Sequence, residues 1–122
     1  MAVVSDDIIM NDIKRILLIP SEYDVFDLNV IIGVNSVFST LQQLGVGPKE
    51  AFHILDGTET WGEFFGDTPE QKNLMAVKSY VGLRVKILFD PPNTSFALDA
   101  LKEQCKELEW RLQVQAEGIK NE

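Results

Sequence analysis

The residue types that most often carry chemistry are scarce. There is one histidine, His53, and one cysteine, Cys105. His53 lies between Phe52 and Ile54 and has no cysteine or acid at metal-ligand spacing. It reads as a structural residue, since a ligand or base needs partners around it. Cys105 falls in an apolar helical seam, where a thiol behaves as a small hydrophobe; a nucleophile needs an exposed, electropositive setting. Gly45-Val46-Gly47-Pro48 lacks the lysine of a phosphate loop and the third glycine of a dinucleotide fingerprint. Asp56, Thr58 and Glu59 hint at a cation loop, but the rest of the calcium pattern is missing. Asn93-Thr94-Ser95 matches a glycosylation sequon and serves equally as the start of a helix. No catalytic residue, cofactor or metal site is expected.

Composition sets the frame for these residues. A chain of 122 residues, 45% apolar and 25% charged, is one globular domain with one core. The net charge is −8. DNA readers take most of their affinity from an excess of basic residues, so sequence-specific nucleic-acid binding is not expected. The charge is uneven: residues 1–71 hold three basic and twelve acidic residues, and residues 72–122 hold eight and seven. Such a chain can dock a partner or copies of itself, or the acids can simply solubilise its surface. A single cysteine excludes an intrachain disulfide and fits a reducing compartment. No apolar run approaches the ~20 residues of a membrane span. The first residues, Met1 to Asp7, contain no basic group, so no secretory signal is expected.

The periodicity predicts a mostly α fold, a compact bundle of about four helices. Residues 1–10 form an N-terminal arm. Asn11 caps a short helix that stops before Ile19-Pro20. The second helix runs from about Leu28 to Leu44, with Val30, Val34, Val37, Phe38, Leu41 and Leu44 on one face and Gly45 as its stop. Residues 46–67 form an irregular, β-like loop, in which Phe52 to Leu55 reads as a short strand running into a turn at Asp56-Gly57. The third helix starts with Thr68 as cap, Pro69 and a capping-box Gln71, and runs to about Phe89. It carries two apolar stripes and therefore belongs in the centre. The fourth and longest helix starts near Thr94 or Ser95, runs to about Ala116 and frays into a tail over residues 117–122.

That last helix has two apolar faces. Leu98, Leu101, Cys105, Leu108 and Leu112 form a heptad-like seam. Phe96, Trp110 and Val114 fall about 120–160° round the wheel from Leu98, nearly opposite that seam. One small domain does not easily cover both faces. Either Trp110 meets something outside the chain, or it folds back under the N-terminal segment or the 46–67 loop. Trp61, Phe64 and Phe65 in that acidic loop offer the same choice between a docking element and a small satellite core.

One run stands out: Val77-Lys78-Ser79-Tyr80-Val81-Gly82-Leu83-Arg84-Val85-Lys86-Ile87-Leu88-Phe89-Asp90-Pro91-Pro92. It leads into Phe96-Ala97-Leu98-Asp99-Ala100-Leu101-Lys102-Glu103 and Lys106-Glu107-Leu108-Glu109-Trp110-Arg111-Leu112. Together with Ser36 to Leu41, Leu44 to Pro48 and Glu59-Thr60-Trp61, these runs resemble the small head–tail connector proteins of long-tailed bacteriophages and their prophages. Cys105 stands where such a protein is expected to carry a larger aliphatic. The resemblance implies a non-enzymatic helical subunit of one connector domain over residues 1–122, made in the host bacterial cytoplasm and found in the virion at the head–tail junction. The resemblance also implies a ring of about twelve copies under the portal protein. That ring extends the DNA channel and docks tail-side connector proteins. Phe96, Trp110, Val114, Trp61, Phe64 and Phe65 are the expected interface residues. Rival readings are a tail-side adaptor or terminator, a regulatory helical module that binds protein or nucleic acid, and, with least support, a hydrolase.

Overall fold

The computed structural model describes residues 8–48, 50, 52–66 and 74–120. Among the described residues five helices form a bundle: α1 (Ile9–Ile16), α2 (Asp27–Gln43), α3 (Trp61–Phe65), α4 (Leu74–Phe89) and α5 (Ser95–Lys120). No strand occurs among the described residues; the one β-type pairing is an isolated bridge between Ile8 and Thr60. The segment 52–55, expected as a strand, is irregular and ends in a bend.

α4 is the centre. It packs against α1, α2 and α5, as its two apolar stripes require. Val77, Val81 and Val85 are buried together with Tyr80. Val85 faces Gly33 of α2, and Gly82 faces the Ile16 side chain of α1. The expected face of α2 is the buried one: Val30, Val34, Val37, Phe38 and Leu41. The expected seam of α5 lies against α4, with Cys105 and Leu112 buried.

Local chemistry explains the helix ends. α1 begins two residues before the expected Asn11 cap. No side chain caps it; instead the backbone N–H of Ile9 donates to the Glu59 carbonyl at 3.1 Å. A tertiary partner thus replaces the cap. α1 and α2 both end in Schellman-type turns. Ile19 N–H reaches the Lys14 carbonyl, and Val46 N–H reaches the Leu41 carbonyl. The left-handed residue is Gly45 in α2 but Leu18, at φ 62°, in α1. Thr94 caps α5, its hydroxyl accepting from Ala97 N–H at 3.1 Å. α5 continues as helix to Lys120, past Gly118, where fraying was expected. The expected Thr68–Gln71 capping box lies outside the described residues.

One buried charge holds the connection from α1 to α2. Lys14 is 3% exposed. Its ammonium donates to the carbonyls of Ser21 (3.0 Å) and Tyr23 (2.7 Å) and to Asp27 Oδ1 (2.8 Å). All three donors are used, so the desolvated charge is fully compensated. The Leu18 backbone, unfavourable for a residue with a side chain, leads into the loop that this ammonium secures.

Replacing Lys14 with alanine leaves those acceptors without their donor. The expected loss in urea unfolding is about 2 kcal/mol, moderated because Asp27 can reach water. A loss below about 0.5 kcal/mol, the range of an ordinary surface change, would show that the ammonium does not hold the loop.

Candidate functional site on the outer face of α5

The structure separates the six expected interface residues into two groups. Phe96, Trp110 and Val114 lie on the outer face of α5 and are 84%, 65% and 45% exposed. The alternative, that Trp110 folds back under another part of the chain, does not hold among the described residues. Trp61, Phe64 and Phe65 are at most 2% exposed. They take the other option open to them and belong to the core, so they are not a docking surface of the folded chain.

Their burial follows from local chemistry. Thr60 and Glu63 form a reciprocal capping box that starts α3. One short turn of helix then points the aromatic side chains towards α2 while Glu63 stays outside. Phe64 stacks on Phe38 with ring centres 4.9 Å apart, and Phe52 meets both rings edge-on. Gly47 makes room for that stack: a Cβ there would lie 2.6 Å from the Phe64 ring, and its φ of 100° suits glycine. Trp61 donates from Nε1 to Asp12 Oδ2 at 2.8 Å, which also receives Lys78 at 3.3 Å. The rest of the loop is tied down too. Asn35 makes two hydrogen bonds to the backbone of Ile54. The Glu59 carboxylate accepts from the N–H groups of Leu55 and Gly57. Asp56 accepts from Thr58, which draws its pKa down. The acids of the hinted cation loop are thus engaged in holding the turn. His53 is exposed beside them.

Beneath the outer face of α5, a small polar cluster joins it to α4. The Tyr80 hydroxyl donates to Glu109 Oε2 at 2.6 Å, and Arg84 lies 3.8 Å from the same oxygen. Burial, then the Glu109 hydrogen bond, raises the Tyr80 pKa well above the ordinary tyrosine range, against the pull of Arg84. Burial likewise pushes the Cys105 thiol up. A thiol kept protonated at 2% exposure is a packing group. Among the described residues, no group of three or more histidine, cysteine or acidic side chains is placed to hold a metal ion.

Beside this cluster, Arg84, Lys102 and Lys106 border a groove of about 260 Å³ with Ile87, Cys105 and Glu109. Nothing in the spacing of Arg84 marks it as a neighbour of the two lysines. They meet only because α5 lies antiparallel along α4. Lys102 and Lys106 are one turn apart on α5, the one sign of this edge that the sequence carries.

The geometry is therefore that of a helical scaffold with an aromatic face that no described residue covers. The model of the phage connector protein family matches residues 9–119. The chain belongs to the phage connector protein family, a family of structural proteins of the virion. Its role is that of a connector-type structural component. No match is found among curated proteins or among solved structures. No helix among the described residues is long and apolar enough to cross a membrane.

The two tryptophans should respond oppositely to truncation. Trp61→Ala should cost about 3–5 kcal/mol of stability, and Trp110→Ala should change it by no more than about 0.5 kcal/mol. Chemical denaturation of both variants checks this; similar losses at the two sites would contradict the assigned burial.

Tyr80 also makes a pH prediction. Its folded pKa is raised, so the neutral phenol is what folding favours. Its contribution is fully present below the unfolded value near 10 and is lost as pH rises beyond it. The wild-type unfolding free energy should therefore fall above about pH 10. Tyr80→Phe should start lower and show a flatter alkaline slope; an unchanged slope would remove Tyr80 as the cause.

Proposed function

We propose that this connector assembles with copies of itself into a ring beneath the portal protein at the head–tail junction. The ring extends the channel for the packaged DNA and presents a docking surface to tail-side connector proteins. Its copy number, about twelve, comes from family likeness; a closed ring of any size repeats one heterologous interface. The subunit is made in the host bacterial cytoplasm and becomes part of the virion. Its work is assembly, without a reaction step, cofactor or metal.

The observation that carries this reading is the outer face of α5. A tryptophan 65% exposed and a phenylalanine 84% exposed on one helix face leave apolar surface for a partner to cover. The excess of acids elsewhere on the chain suits a channel wall, because negative charge does not hold passing DNA.

Trp110→Ala tests it. Ring assembly on purified portal, followed by sedimentation or electron microscopy, should fall sharply while the circular dichroism of the subunit is unchanged. Undiminished assembly by a folded variant would overturn the assignment of this face.

A further inference from the structure

The chain carries two surface features of opposite charge on different elements. The first is the groove between α4 and α5. Arg84, Lys102 and Lys106 border it against one acid, Glu109, which is already held by the Tyr80 hydroxyl. Among the described residues Lys106 pairs only with Glu103, at 3.7 Å, and both side chains are largely exposed. Such a pair is worth little and is easily exchanged. Lys102 has no ion pair within the described chain. The groove is therefore cationic, and its Lys106 stands one helical turn before Trp110.

The second feature is the loop between α1 and α2. No basic residue occurs between Arg15 and Lys49. Glu22 and Asp24 are exposed there and have no basic partner among the described residues. Tyr23 and Val25, between and beside them, are exposed as well. The loop is nevertheless fixed, because the Lys14 ammonium holds the carbonyls of Ser21 and Tyr23 and the carboxylate of Asp27. A loop held in one shape loses little entropy on docking.

No hydrogen bond or ion pair joins this loop to the groove within one chain. We propose that the Glu22–Val25 loop of one copy seats in the Arg84–Lys102–Lys106 groove of the next. The proposal rests on the ring reading and names the two faces that meet. Complementary features on separate elements of one chain propagate head to tail, which is the interface a ring requires. The charges set register and encounter, and Val25 and Tyr23 add apolar contact beside Ile87 and Trp110.

Charge exchange tests it. One variant carries Lys102→Glu and Lys106→Glu, and a second carries Glu22→Lys and Asp24→Lys. All four positions are exposed, so both variants should fold, as checked by circular dichroism. Assembly on purified portal is then measured for each alone, for their equimolar mixture and for the chain carrying all four changes. Each variant alone should assemble at least about tenfold more weakly than wild type, because like charges meet at every interface. The mixture and the fourfold variant should both recover, because opposite charges face each other again. Wild-type assembly with undiminished variants would overturn the pairing and leave the ring reading intact. Weakened variants with no recovery would also overturn the pairing. Failure of the wild-type chain to assemble at all would bring down the ring reading and this proposal together.

Discussion

The structure is governed by the need to cover α4 on both sides. A helix with apolar stripes on two faces cannot sit at a surface. α1 and α2 cover one side, and α5 covers the other. That demand fixes what α5 can do. Its leucine seam is used up against α4, so its second apolar face has nothing left to meet within the described chain. The exposed tryptophan is thus a result of how the core is built. Had α4 been amphipathic in the ordinary way, α5 could have turned its aromatic face inward.

Much of this was legible in the residues. The buried faces of α2 and α5 follow the 3.6-residue period over several turns, and long periodic segments are the ones sequence reads well. Gly45 and Thr94 mark helix ends through local chemistry that acts without tertiary help. What escaped was tertiary. The start of α1 depends on a carbonyl from Glu59, fifty residues on, and no local pattern reports that. α3 is five residues long, too short for a period to show. Its Thr60–Glu63 capping box was the available sign. The acids around Trp61 left a docking element and a small core equally open; the chain turns Glu63 outward and the rings inward, with Phe64 stacked on Phe38. The outer face of α5 was legible from the wheel; the groove beside it was not, since its cations come from two helices.

Polar groups inside the fold serve position more than energy. Lys14 and Asn35 each tie an irregular segment to a helix, Glu59 ties one to itself, and Asp12 ties α1 to α3. In this way the described loop segments are tied to the bundle. A connector-type structural component benefits from surfaces that do not rearrange on contact.

The pair of Tyr80 and Glu109 has a mechanical meaning. A leucine seam repeating every three and four residues looks much the same after a shift of one turn, so α5 on its own could slide along α4 at small cost. A single polar contact removes that degeneracy, as a lone polar residue does in a coiled coil. Sliding would leave the buried Tyr80 phenol without its acceptor. That contact therefore sets where the longest helix stops along α4, and with it where its outer aromatic face stands on the chain.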